Sequence, residues 1–313
     1  MRGTLLVMGL LASTALYAPA WADEPVRGGV IQVALADDPP ELDPHLTASN
    51  ASRTVLHNIF ATLVEIDENL LVVPGIAKSW EITDEGKTIT FHLNEGVKFH
   101  DDTDLDAEAV KYNFDRMRDK EFGSARAGEL AFVTDVTVVD PLTVTVTLSQ
   151  PYGGFMAALA SWSGMMVSPT AAKEHGRDFG QVLVGAGPFK FIERIRDDRV
   201  VLDRFDNYFK EGLPYVDKVI FRPFTDVDAR VMNLESGSVH IIHTVPGKAV
   251  KALQASPNVT LSSIPGLGFN GIWINTNSND LGSAARRAAV SACIDRQIVV
   301  DTVFGDAATA AIG

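Results

Sequence analysis

Residues 80–117 read WEITDEGKTITFHLNEGVKFHDDTDLDAEAVKYNFDRM. Trp80 and Ile82 alternate with polar neighbours, Ile89, Phe91 and Leu93 form a second apolar face, and Val97 and Phe99 continue the pattern. The two joints, Asp84-Glu85-Gly86 and Asn94-Glu95-Gly96, end in Gly, which supplies the left-handed backbone that three-residue hairpin turns require. This spacing predicts a β-meander. The period then changes to a helical one: Ala107, Val110, Phe114 and Met117 recur behind Asp106, a residue type that caps helix N-termini.

Outward from this stretch the same mixture continues. Upstream, Val30–Leu35 is a short buried-strand pattern, followed by the Pro-rich turn ADDPPELDPH at 36–45. Thr47-Ala48-Ser49-Asn50 then offers caps for a helix around Thr54 to Leu63. Downstream, 131–139 and 142–148 form a hairpin pattern around Asp140-Pro141, and Gly185-Ala186-Gly187-Pro188 introduces a strand at 189–192. Strands are predicted at 200–205, 216–222, around Val239 and Ile241, at 259–263 and at 271–275. Helices are predicted at 226–236, stopped by Gly237, and from about Ser283 to Phe304. The interleaving gives a mixed α/β chain.

Composition narrows the function classes. The chain has 313 residues, enough for two or three domains with large cores. A formal charge of −13 argues against nucleic acid, whose phosphates call for a basic face. Residues 1–22 carry Arg2, an apolar run from Leu5 to Leu16 and an A-x-A ending at Ala22, which reads as a secretory signal peptide cleaved after Ala22. No later run reaches the ~18 apolar residues of a membrane span, so the mature chain is expected to be soluble, exported and periplasmic. Cys293 is the only cysteine, so no intramolecular disulfide forms. Its apolar helical context predicts a buried, inert thiol.

His92, His100, Asp101 and Asp102 are chemically suggestive, since imidazole and carboxylate are metal ligands. Their spacing argues otherwise. His92 lies on the polar side of a strand, consecutive strand residues point to opposite faces, and no H-x-x-x-H or H-E-x-x-H accompanies them. A structural role is expected, with no metal and no cofactor. The chain has no G-x-S-x-G elbow, Walker loop or post-strand G-x-G-x-x-G, and Pro188 removes an N–H that a phosphate cradle would need. No catalytic residue is assigned, and the chain is read as a non-enzyme.

The segment from Leu71 to Met117 resembles the family 5 extracellular solute-binding proteins of ABC importers. It looks like their pattern of Leu-Ala-x-x-Trp, a D-G-K turn, a phenylalanine-rich strand, F-H-D-G and T-A-E-D-V. LDPH at 42–45, GAGPF at 185–189, NYF at 207–209 with LPYVDKVIFR after it, and RRAAVSACIDRQIVV at 286–300 follow in the family's order. Departures are Asp102 where Gly is usual, Asp106 and Ala109 where Thr and Asp are common, and His240 in place of an Asp.

The resemblance implies a bilobal fold of the type II periplasmic-binding-protein kind with an inserted subdomain. Residues 23–50 and 170–265 would form the first lobe, 51–169 the insertion, and 266–313 the start of an incomplete second lobe. The chain is expected to be C-terminally truncated, as a fragment or a true truncation. It implies capture of short peptides or peptide-like solutes by a monomer that delivers them to an inner-membrane ABC permease. Nickel-complex or opine binding is the alternative within the class, and a truncated non-transporting remnant the alternative outside it. The backbone of Thr47, Ala48 and Ser49 would flank the ligand, or serve only as a helix cap. Phe269, Asn270 and Trp273 in GFNGIWINTN would lie near the cleft, or pack in a core. The family's anchors for a peptide's ammonium and carboxylate would belong to the rest of the second lobe.

Overall fold

The computed structural model describes residues 25–262, 270–304 and 308–311. The signal-peptide region 1–22 and Phe269 lie outside the described residues. In chain order the first elements are β1 (Val30–Leu35), α1 (Asn50–Ile59), β2 (Val64–Ile66), β3 (Val72–Pro74), β4 (Ala77–Thr83), β5 (Thr88–Leu93) and α2 (Ala107–Arg118). Then come β6 (Val133–Asp140), β7 (Thr143–Leu148), α3 (Phe155–Leu159), α4 (Pro169–His175), β8 (Phe189–Ile195), β9 (Arg199–Arg204) and β10 (Lys218–Pro223). The last are α5 (Val227–Glu235), β11 (Ile241–Ile242), α6 (Gly247–Ala255), α7 (Ala284–Ala292) and α8 (Arg296–Val299).

The opening stretch folds largely as its periodicity predicts. β4 and β5 pair antiparallel, β5 pairs with β7 and β7 with β6, giving a four-stranded sheet in the order β4-β5-β7-β6. The alternating residues Ile89, Phe91 and Leu93 meet Val144, Val146 and Leu148 in one buried cluster. Val110, Phe114 and Met117 of α2 complete it. Burying each such side chain stabilises the fold by roughly 1.5–3 kcal/mol. Asp106 caps α2, its Oδ1 accepting from the Ala109 N–H at 2.9 Å. The expected continuation at Val97–Phe99 is instead a tight loop: Leu105 donates to the Val97 carbonyl at 2.9 Å and Phe99 to that of Thr103 at 2.9 Å. Asp102 sits in this loop at φ +63°, a left-handed conformation that Gly adopts freely and that Asp tolerates better than most residues.

The second sheet is ordered β11-β1-β10-β9-β8. β1 runs parallel to both β10 and β11, with Val33 opposite Phe221 and Ile241, while β9 and β8 are antiparallel. Val33, Leu35, Leu202, Val219 and Phe221 form its core with Val55, Leu56 and Ile59 of α1. The segment 162–167 lies between the two cores: Trp162, Met165 and Val167 join this one, and Met166 joins the other.

Several elements differ from the expectation. The first helix begins at Asn50 rather than Thr54 because Ser49 caps it. It ends at Ile59 because the backbone beyond is claimed elsewhere, Leu63 donating to the Gly164 carbonyl at 2.9 Å and Ala77 donating to that of Leu63 at 2.8 Å. Residues 259–262 and 271–275 form no strand; no neighbouring strand among the described residues offers the ladder that a strand needs. The helix expected from Ser283 to Phe304 breaks at Cys293. α8 restarts behind Asp295, whose Oδ1 accepts from Gln297 and Ile298, and a π-helical turn follows at Val300–Phe304. Cys293 is exposed, contrary to the buried position its neighbours suggest, because α7 buries none of its residues. Among the described residues no helix is long and apolar enough to cross a membrane.

Candidate functional site

Past the carboxyl end of β1 the chain makes the turn Leu42-Asp43-Pro44-His45, with Leu42, Asp43 and His45 fully buried. Asp43 organises it. Its Oδ1 accepts from the His45 N–H at 2.9 Å, and its carbonyl accepts from Leu46 and Thr47, each at 3.1 Å. An ionised carboxylate in such a place requires a partner, and Arg116 of α2 supplies it in a two-pronged pair: Nη2 to Oδ2 at 2.5 Å and Nη1 to Oδ1 at 3.1 Å.

Arg116 Nη1 also reaches His45 Nδ1 at 2.8 Å. A guanidinium only donates, so Nδ1 is the acceptor and the imidazole proton lies on Nε2, which donates to the Met165 carbonyl at 3.1 Å. Burial, reinforced by Arg116, pushes the His45 pKa down to about 4, so the ring is neutral at pH 7. Opposite, Ser124 Oγ and the Ala125 N–H both donate to the His45 carbonyl, at 2.7 and 3.0 Å. The network thus ties the loop after β1 to α2, to the 165 segment and to the 124–125 turn.

Of the residues singled out from sequence, Thr47 is buried and its Oγ1 accepts from the Ser49 N–H at 3.2 Å. Ser49 is half-buried and caps α1 through the Ser52 N–H at 3.4 Å, and Ala48 is exposed between them. Asn270 and Trp273 are exposed, Trp273 by 89%, on irregular chain. The hydrogen bonds made by 47–49 run to the Asp43 turn, within the loop and to α1.

His100 and Asp101 act as a clasp between the two cores. The His100 N–H donates to the Gly185 carbonyl at 2.8 Å, its Nε2 lies 3.0 Å from the Gly187 carbonyl, and its ring meets Phe205 edge-on at 4.9 Å. Burial lowers its pKa to about 4 as well. Asp101 accepts from Ser168 Oγ at 2.5 Å and Thr103 Oγ1 at 2.6 Å. His92 faces Glu81 of the neighbouring strand at 3.9 Å. Among the described residues no three His, Cys, Asp or Glu side chains cluster as metal ligands would.

Sequence reasoning missed Arg116 and the 124–125 turn. The available signal was the pair Asn113 and Arg116, polar residues on the face of α2 that also carries Ala109 and Met117, all buried. Asn113 turns out to bridge the 167 backbone both ways, at 2.9 Å to its carbonyl and 2.8 Å from its N–H. A groove of about 470 Å³, lined by residues including His57, Glu65, Tyr208, Lys210 and Tyr215, shares no residue with the loop at 43–49.

Residues 72–313 match the family described as "Bacterial extracellular solute-binding proteins, family 5 Middle". The chain belongs to this family. Among family 5 relatives, the glutathione-binding protein GsiB of Salmonella paratyphi A is 31% identical over 309 residues, covering 99% of this chain and 59% of that protein. The chain therefore spans less than two thirds of that relative's length. The binding protein AgaA of A. tumefaciens R10, solved with agropinic acid, superposes with a TM-score of 0.70 at 31% identity, covering 73% of this chain and 46% of AgaA. DppA of Helicobacter pylori, a periplasmic binding protein solved with the peptide STSA, gives a TM-score of 0.79 at 24% identity over 90% of this chain and 59% of its own. That likeness supports the fold alone. These relatives are binding proteins.

Proposed function

We propose that this chain is the solute-capturing component of an ABC importer, taking up short peptides or peptide-like solutes in the periplasm and delivering them to an inner-membrane permease. The observation that carries this reading is the loop after β1. The Asp43–Arg116–His45 network holds it rigidly at the carboxyl end of a parallel strand pair, the edge at which α/β sheets receive ligands. A rigid loop of this kind presents backbone groups to a solute at low ordering cost.

In this reading residues 23–50 and 170–265 form the first lobe, 51–169 the insertion and 266–313 the start of the second. The ligand-facing residues are Thr47, Ala48 and Ser49 with Phe269, Asn270 and Trp273. Closure of the lobes on the solute creates the shape that the permease recognises. The protein acts as a monomer, exported by the signal peptide at 1–22, without cofactor or catalysis. The similarity to AgaA favours an opine-like acid as the second reading.

Saturation-transfer NMR with trialanine, glutathione and agropinic acid, against glucose as a control, tests this. Transfer to one of the peptides or to agropinic acid, and none to glucose, is expected. No transfer to any of the three, from a folded protein, would sink the reading.

A further inference from the structure

Asp43, Arg116 and Arg230 are the buried carboxylate and guanidinium side chains among the described residues. The first two neutralise each other. Arg230, on α5 and only 4% exposed, has no carboxylate among the described residues within ion-pairing distance. Its Nη1 donates to the Phe224 carbonyl at 2.5 Å, and among the described residues its Nε finds no partner. A guanidinium stays protonated at any physiological pH, and burying one without a counter-charge is costly. One carbonyl bond does not offset that cost.

The position is informative. The Phe224 N–H donates to the carbonyl of Leu35, the last residue of β1, at 2.9 Å. Arg230 is thereby fastened to the edge where the parallel strands β11, β1 and β10 end, the same edge from which the loop to Asp43 and Ser49 departs. Ligands of open α/β sheets bind outside the carboxyl ends of their strands. A buried, fork-shaped donor with an unused N–H at that edge suits a planar carboxylate, which accepts two parallel hydrogen bonds.

We infer that Arg230 is a carboxylate-receiving residue of this sheet edge, neutralised when a solute places a carboxylate against it. This deepens the solute-binding reading and rests on it. It narrows the solute class to acids.

The test uses the unfolding midpoint of the whole chain, wild type, R230M and R230K, in sodium chloride and in sodium acetate at equal ionic strength. In chloride, R230M is expected to melt at or above the wild-type temperature, since it removes an uncompensated charge while keeping much of the side-chain volume. Acetate is expected to raise the wild-type midpoint by about 2 °C over chloride, to raise R230K less, and to leave R230M unmoved. A clear loss of stability for R230M in chloride would assign Arg230 a purely structural role and overturn the inference. So would an acetate response that survives in R230M. Acetate alone reads this site, so failure here is distinguishable from failure of the solute-binding reading, which the peptide and agropinic acid measurements decide.

Discussion

At the scale of single residues, the two buried histidines tie stability to pH. His45 and His100 both titrate near 4 in the folded protein, against 6.5 for a free imidazole, chiefly because burial penalises the charged ring. Between about pH 6.5 and 4 the unfolded chain takes up these protons and the folded chain does not. Stability from this source is therefore complete above about 6.5, falls as the pH is lowered through that window, and falls no further below about 4. Urea midpoints measured across the window should decline toward acid, and the decline should be shallower in H45Q. An identical slope in H45Q would place the titration elsewhere. The contacts of His100 with Gly185 and Gly187 were not legible, since those residues lie 85 and 87 positions away along the chain. The neutral state of His45 was not legible, since it depends first on burial and then on Arg116, 71 residues away along the chain.

At the scale of elements, the GAGP turn shows where local rules stop. Gly185-Ala186-Gly187-Pro188 reads as a tight turn, but the reason for both glycines is a close approach to α1. A Cβ on Gly185 would lie 2.2 Å from the Ile59 carbonyl oxygen, and one on Gly187 would lie 2.6 Å from its carbon, while the Gly187 N–H donates to that oxygen at 2.8 Å. G187A is expected to cost about 2–4 kcal/mol in urea denaturation, because the obstacle is backbone and has nowhere to move. A midpoint within experimental error of wild type would refute the packing argument. The β4–β5 hairpin, the Asp106 cap and α2 were legible in advance because alternation, Gly turns and capping act within a few residues. The third strand and the strand at 271–275 were misread for the complementary reason. A strand exists only when another lies beside it, and periodicity does not say whether one does.

At the scale of the whole molecule, the described chain is uneven. Two cores carry the residues from β1 to β10, whereas α7 buries no residue and only Val300 is buried in the stretch from 270 to 304. Hydrogen-exchange mass spectrometry should therefore find 284–304 exchanging orders of magnitude faster than β5, β7, β9 and β10, since protection follows buried contact. Equal protection would mean that this segment is covered in solution. By itself the sequence determined the mixed α/β class, most element positions, the helix caps and turn glycines, and the motif order that marks family 5. These are set by steric and hydrogen-bonding preferences acting over a few residues, and they leave regular traces. Only the tertiary structure decided that Arg116 neutralises Asp43, that His45 is uncharged, that Cys293 is exposed, and that Arg230 is buried with no carboxylate of the described residues beside it. Each of these depends on which distant residues share a volume from which water is excluded, and spacing along the chain carries no record of that.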